Sequence, residues 1–114
     1  MSIREVKQLK IAALHYAVER RPVPITEGEG DLVTGRVVYN TSKLLIANNL
    51  CEEVEAYTIL HEAMHALFCA AGIRHHDEQL IETLGSYLFD FIRDNPEFVK
   101  AIQRKEEKNN DENV

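Results

Sequence analysis

The spacing of apolar residues divides the first third of the chain into a helical and an extended part. Apolar side chains recur every three or four positions across residues 3–19, which predicts an amphipathic N-terminal helix. Residues 23–25 contain a proline and are expected to be extended, because proline restricts the residue before it. Two glycines among the acidic residues 27–31 predict a flexible turn there.

Two short runs rich in β-branched and apolar residues follow, at residues 35–40 and 43–48. Between them, the sequence Asn40-Thr41-Ser42 suits a tight connection. These segments therefore predict two antiparallel strands that form a hairpin.

Helical spacing then continues through the middle of the chain. Glutamates at 52, 53 and 55 are favourable in the first turn of a helix, so this helix is predicted to begin near Cys51 or Glu52. Gly72 lies where a left-handed cap should end it. Its apolar positions are Val54, Tyr57, Leu60, Met64, Leu67, Phe68 and Ala71.

A further helix is predicted from Asp77, which can cap its start, to about Arg93. Pro96 is well placed in the first turn of a last short helix. The apolar positions of the longer helix are Leu80, Ile81, Leu84, Tyr87, Leu88, Phe91 and Ile92.

Together these segments predict an α+β domain. It would contain the N-terminal helix, a short antiparallel hairpin or sheet, the two long helices and the short C-terminal helix. Residues 1–103 are expected to form this single domain. Residues 104–114 mix both signs of charge with almost no apolar side chain, which is typical of a flexible tail.

Composition narrows the class of protein. Apolar residues make up 45% of the chain and charged residues 28%, as in globular proteins, and no apolar run approaches the roughly 20 residues that span a bilayer. The first ten residues lack the apolar core of a signal peptide, so a cytoplasmic location is expected, with both cysteines as thiols. A net charge of −6 disfavours direct contact with nucleic acid.

The most informative motif is His61-Glu62-Ala63-Met64-His65, an HExxH sequence. On a helix, the two histidines lie one turn apart on the same face, so both imidazoles can bind one Zn²⁺ ion. Glu62 is rotated by about 100° from His61, because a helix has roughly 3.6 residues per turn. We therefore predict that His61 and His65 bind zinc and that Glu62 is a general base.

Catalytic zinc takes three protein ligands, so the motif requires one more donor. Glu78 and Glu82 are four residues apart and lie on one face of the following helix. Glu82 is preferred as a ligand because it lies among apolar residues, where a carboxylate needs a partner to offset desolvation. Glu78 is the alternative, or it would orient a ligand histidine. Less favoured candidates are His75, His76 and Asp77.

The expected reaction is metal-assisted hydrolysis. Zinc lowers the pKa of a bound water from about 15.7 toward 7, and Glu62 takes its proton and later passes it to the leaving amine. The predicted hairpin could bind an extended peptide along an open strand edge, which favours a protein substrate. The sequence leaves the electrophilic donor open among Tyr57, Tyr87, Arg74 and His75.

A family resemblance adds to these inferences. The layout that carries it comprises the predicted N-terminal helix, the strands at residues 35 and 44–47, His61-Glu62-Ala63-Met64-His65-Ala66-Leu67, Asp77-Glu78-Gln79-Leu80-Ile81-Glu82-Thr83-Leu84 and Arg93-Asp94-Asn95-Pro96-Glu97. Over about residues 35–98 the chain resembles small phage and prophage zincin-like proteins related to the ImmA/IrrE metallopeptidases.

The resemblance implies a gluzincin-type site in which His61, His65 and Glu82 bind zinc and Glu62 is the base. Better-known members of that family cleave helix-turn-helix repressors, so it also suggests a repressor-like protein substrate. No DNA-binding or sensor domain accompanies the motif in these 114 residues. Two other hypotheses remain: a non-enzymatic, metal-stabilised module that binds another protein, and hydrolysis of a bond other than a peptide bond.

Overall fold

A computed structural model describes residues 1–23, 25–27, 31–73, 75 and 77–104, with the backbone alone at 26, 27, 31 and 32. The fold is α+β, with a four-stranded mixed sheet followed by three helices. The strands are β1 Gln8–Ile11, β2 Leu14–Arg21, β3 Ile25–Glu27, β4 Asp31–Val33, β5 Gly35–Val38 and β6 Lys43–Ala47. The helices are α1 Glu52–Ala70, α2 Glu78–Asp94 and α3 Pro96–Ile102.

The main sheet has the strand order β1-β2-β6-β5. Its outer pairs are antiparallel, whereas the central strands β2 and β6 are parallel, with Val18 opposite Leu44. Strands β3 and β4 form a separate antiparallel pair, with Ile25 opposite Val33. The two ends of the turn predicted at residues 27–31 belong to these strands. Residues 28–30 lie outside the described part of the chain.

The predicted N-terminal helix over residues 3–19 is wrong, because this segment forms β1 and β2 after a single 3₁₀ turn at Ile3–Glu5. Tyr16 and Val18 alternate with exposed neighbours and are buried in the core, which is the period of a strand. The turn between the strands is made by alanines, and Ala12 has a φ of 57°. Because alanine favours helices and carries no turn signal, the sequence pattern concealed this hairpin.

The predicted hairpin is confirmed in β5 and β6, which pair antiparallel with Val37 opposite Leu44. A 3₁₀ turn at Tyr39–Thr41 connects them, and Ser42 has a φ of 54°. Leu44 and Ile46 are fully buried, since β6 has a neighbouring strand on each side and α1 packs across it.

The three other predicted helices are confirmed, with α1 beginning at Glu52, α2 at Glu78 and α3 at Pro96. Gly72 has the expected positive φ of 88°, and the following Ile73 N–H donates to the carbonyl of Phe68 at 2.9 Å. The carboxylate of Asp77 accepts a hydrogen bond from the Gln79 N–H at 3.1 Å, as a helix cap should. No described helix is long and apolar enough to cross a membrane.

Helix α1 packs against the sheet on one side and α2 on another. Its sheet side carries Ile59, Ala63 and Ala66, and the side facing α2 includes Tyr57 and Met64. The core cluster consists of Ile11, Tyr16, Val18, Leu44, Ile46, Ile59, Ala63 and Ala66. The predicted apolar positions of α1 therefore do not form one buried face, and Val54 and Leu67 are almost half exposed.

Candidate metal centre

Three side chains from α1 and α2 meet at one end of the helix pair. His61 Nε2 lies 2.8 Å from Oε2 of Glu78, and His65 Nε2 lies 2.9 Å from Oε1 of the same carboxylate. All three residues offer a ligand atom within 4.8 Å of the other two. They form the one such group of at least three His, Cys, Asp or Glu side chains among the residues that the structure describes.

The helical spacing of the motif explains this convergence. His61 and His65 are one turn apart on α1, and their ring centroids are 5.0 Å apart. Glu78 is the first residue of α2, and the short connection after Gly72 returns the chain to α1. The two imidazoles are mostly buried, whereas 63% of the Glu78 side chain is exposed. The donors therefore lie at the mouth of a site rather than within the core.

The donor set fits zinc in kind and in spacing. Imidazole nitrogens and a carboxylate oxygen are common zinc ligands, and bonds of about 2.0–2.1 Å in a tetrahedron place ligand atoms roughly 3.3 Å apart. The nitrogen-oxygen separations of 2.8 and 2.9 Å are about half an ångström shorter than that. Small rotations of the exposed Glu78 carboxylate would open the cluster to this spacing.

Glu62 lies beside the cluster, on the side of α1 that faces β5. It is buried, and it contacts the strand where Gly35 begins it. A Cβ atom at Gly35 would lie 3.0 Å from Cγ of Glu62 and 2.8 Å from Cγ2 of Thr58. The absence of a side chain at position 35 therefore lets β5 approach the predicted base closely.

A cavity of about 630 Å³ opens in front of these residues. Residues 33–35 and 37 lie on one side of it and the two helices on the other. Its lining comprises Val33, Thr34, Gly35, Val37, Tyr39, Tyr57, Thr58, His61, Glu62, His65, Glu78 and Glu82. The cavity thus joins the three donors, the predicted base and the outer strand of the sheet.

Glu78, rather than the preferred Glu82, completes the group with the two histidines. The preference for Glu82 depends on a packed stripe of Leu80, Ile81 and Leu84, of which Ile81 is buried but Leu80 and Leu84 are more than 40% exposed. Glu82 is itself exposed and lines the cavity one turn farther along α2. The expectation that the two glutamates share a face of α2 is confirmed, since both line this cavity.

Tyr57 is the one predicted electrophilic donor that lines the cavity among the described residues. Its hydroxyl donates to the backbone carbonyl of Glu82 at 3.2 Å. Burial raises the pKa of Tyr57, and the nearby Glu82 carboxylate raises it further, so the hydroxyl remains a proton donor at neutral pH. The cavity lining omits Tyr87 and His75, and Arg74 and His76 lie outside the described residues.

Sequence reasoning did not anticipate Tyr39, Thr58 or Gly35 at this site. Tyr39 follows the end of β5 in a turn, and Thr58 precedes the motif by one turn on its inner face. Only the close approach of β5 to α1 reveals their position, and that approach depends on tertiary packing. The two cysteines are free thiols and do not belong to the donor group.

No protein-family model, curated protein or solved structure matches this chain. The site is therefore defined by its residues and their geometry alone.

Proposed function

We propose that this chain is a zinc-dependent metallopeptidase in which His61, His65 and Glu78 bind the metal and Glu62 is the general base. One observation carries the proposal: both motif imidazoles direct Nε2 at the same carboxylate, beside a buried glutamate and an open cavity. Three donors, as found here, are typical of catalytic zinc, whereas structural zinc usually has four protein ligands.

The chain's own residues have distinct parts in the proposed reaction. A zinc ion held by His61, His65 and Glu78 would supply Lewis acidity toward a water and a substrate carbonyl. Glu62 takes a proton onto its carboxylate from the attacking water and returns it to the leaving amine. Its burial against β5 limits the positions that the carboxylate can adopt.

The position of β5 supports a peptide substrate. This strand is at the edge of the sheet, since it pairs with β6 on one side and no described strand pairs with its other side. Gly35 and Val37 of β5 line the cavity next to the donors. An extended peptide added to this edge would bring a backbone carbonyl past Glu62 toward the donor group. A repressor-like protein is one substrate of this kind.

Zinc titration tests the ligand assignment. Isothermal titration calorimetry of the purified metal-free chain should show one Zn²⁺ per chain. The variant Glu78→Ala should lose at least tenfold in affinity, while the matched variant Glu82→Ala should stay within about threefold. If Glu82→Ala loses zinc and Glu78→Ala does not, then Glu82 is the ligand and the assignment made here is wrong.

A peptide library tests the activity. The zinc-loaded chain would be incubated with a proteome-derived peptide library, and new termini would be identified by mass spectrometry. Glu62→Gln should keep its zinc and lose cleavage by roughly 10² to 10⁴-fold, whereas Glu97→Gln on α3 should cleave as the parent does. Zinc binding without any cleavage by the parent chain would favour the non-enzymatic module instead.

A further inference from the structure

An apolar surface on α2 and α3 has no partner among the described residues. Its eight large side chains are between 38% and 74% exposed, although they belong to helices. We call it the α2–α3 face, and it consists of Leu80, Leu84, Tyr87, Leu88, Phe91, Ile92, Phe98 and Ile102. These residues contribute more than half of the large exposed apolar side chains in the described structure.

The arrangement around α2 shows that this face is additional to the contact with α1. At 100° per residue, apolar positions of α2 cover an arc of roughly 200°, about twice that of a helix with one buried side. One half of the arc includes the buried residues Ile81 and Gly85, and Gly85 faces Met64 and Tyr57 of α1. The other half is centred on Leu84 and Phe91 and remains open, while Leu88 and Ile92 lie toward the α1 side and are the least exposed of the eight, at 38%. Helix α2 therefore has the pattern of a helix with two neighbours.

The face continues onto α3 and is separate from the metal centre. The rings of Phe91 and Phe98 meet edge to face, with centroids 6.0 Å apart, so the surface runs unbroken between the helices. None of its eight residues lines the cavity beside the metal donors. A partner could cover this face without closing the proposed active site.

The size of the face is that of one half of a stable interface. We take about 200 Å² as the full surface of an aromatic side chain and about 100–120 Å² as that of an aliphatic one. With these values, the exposed areas of the eight side chains add up to roughly 600 Å². The largest apolar patch of a typical monomer is about 300–600 Å², so this face is at the upper limit. Two such faces in contact would bury roughly 1,200 Å², which reaches the range of specific protein interfaces.

The charges beside the face determine what it can contact. Asp90 and Asp94 border it on the polar side of α2, and Glu97 lies in the first turn of α3. Anionic lipid surfaces attract basic helices, so this acidic border disfavours a membrane. When two copies of α2 lie antiparallel, Asp90 and Asp94 of each copy approach the uncharged Gln79 and Thr83 of the other. The helix dipoles are then also opposed, which is favourable.

We infer that the α2–α3 face is a homodimer interface, in which two copies of this chain pair through antiparallel α2 helices around a twofold axis. In such an interface the same surface is used on both subunits, so one apolar face supplies both halves. The twofold axis passes near Tyr87, close to the middle of α2.

Sedimentation equilibrium from about 1 to 200 µM tests this inference. The parent chain should approach twice its monomer mass of 13.1 kDa. Leu84→Glu and Phe91→Glu should each raise the dimer dissociation constant at least 100-fold. Because both side chains are already more than 40% exposed, these variants should keep the fold, as circular dichroism and zinc binding would verify. Leu14→Glu is the matched control, since Leu14 is 54% exposed on β2 and should leave dimerisation unchanged.

Cross-linking provides a second readout that does not depend on disrupting the face. In a Cys51→Ser background, Tyr87→Cys should form a disulfide-linked dimer on mild oxidation, and Leu14→Cys should not. A monomeric parent chain overturns the inference, and binding of that monomer to anionic vesicles would assign the face to a membrane instead. A dimer that survives Leu84→Glu and Phe91→Glu with unchanged affinity overturns it as well.

Discussion

Gly35 and Gly85 both lie against α1, but the space around each residue differs. A Cβ at Gly35 would lie 2.8 Å from Thr58 Cγ2 and 3.0 Å from Glu62 Cγ, so these buried groups would have to shift. A Cβ at Gly85 would lie 3.5 Å from Met64 Sδ, which is an ordinary contact. Gly35 is therefore required by packing, whereas Gly85 is not.

We expect Gly35→Ala to destabilise the fold by about 1–3 kcal/mol, because the added methyl group overpacks the contact between β5 and α1. Since Glu62 is one of the displaced groups, cleavage should fall further than the lost stability explains, while zinc binding persists. Urea unfolding and zinc titration measure these effects. Unchanged stability would show that the contact is looser than described.

Gly85→Ala should have the opposite effect. Alanine is more favourable than glycine inside a helix by about 0.5–1 kcal/mol, and the new methyl group fits beside Met64. The midpoint of urea unfolding should therefore rise. A lower midpoint would mean that α1 and α2 are packed too closely to admit the methyl group.

The buried carboxylate of Glu55 forms an ion pair within the fold. Its side chain is 4% exposed and lies 2.8 Å from Arg20, which also donates to the backbone carbonyl of Ile3. Removing one partner of a buried ion pair leaves a charge without compensation, so Glu55→Ala should cost about 3–5 kcal/mol. The control Glu53→Ala breaks the exposed pair with Arg93 and should cost less than about 1 kcal/mol. Equal losses in urea unfolding would contradict this difference.

The candidate site shows which of its residues can be predicted from local sequence alone. Local spacing sufficed to bring His61 and His65 together, because an HExxH helix fixes their relative positions, whereas the role of Glu62 as a base stays a prediction. Apolar neighbours proved a poor guide to the choice between Glu78 and Glu82. Ile81 is buried, but Leu80 and Leu84 belong to the exposed half of α2, and Glu82 is itself exposed.

At the scale of elements, the N-terminal 3₁₀ turn is held to the start of α1 by Glu52. Its carboxylate accepts from the Ser2 hydroxyl at 2.6 Å and from the Ile3 N–H at 3.2 Å. The Ser2 hydroxyl, and then the Ile3 amide, lower the pKa of Glu52 below 4.5. The charged form is therefore favoured in the folded chain.

The sign of the pH dependence follows from this lowered pKa. Glu52 contributes stability at a pH above the ordinary pKa of a glutamate, and this contribution is lost as the pH falls through the lower folded value. The Ile3 amide resonance in NMR spectra should titrate with a midpoint below the ordinary pKa of a glutamate, and Glu52→Gln should remove that titration. A midpoint at or above the ordinary value would show that the hydrogen bonds do not favour the carboxylate.

The helices and strands whose ends carry clear sequence signals were predicted correctly, whereas those without such signals were not. The hairpin of β5 and β6 has a polar connection between two apolar runs, α1 is followed by Gly72 with its positive φ, and α2 is capped by Asp77. In contrast, the β1–β2 turn consists of Ala12 and Ala13, and the apolar spacing of that segment fits a helix as well as a strand. The parallel pairing of β2 with β6 is a contact distant in sequence, and no local pattern encodes it.

At the scale of the whole molecule, zinc should link the two helices and thereby stabilise the fold. A ligand that binds only the folded chain adds about 2.7 kcal/mol at a concentration 100 times its dissociation constant, which for a chain of this size corresponds to roughly 10 °C in Tm. Differential scanning calorimetry should show this increase for the parent chain and its reversal by a chelator. Glu78→Ala should show a much smaller increase; an equal one would mean that zinc binds elsewhere.

The parallel contact of β2 with β6 also constrains how a nascent chain can fold. As the chain leaves the ribosome, β1 and β2 can pair at once, but one side of β2 lacks its neighbour until residues 43–47 have emerged. Because β5 is adjacent to β6 in sequence and β2 is distant, we expect β6 to pair with β5 first and the joining of the two hairpins to be the slow step. A translational pause before residue 43 would leave β2 with its unpaired edge open to other nascent chains.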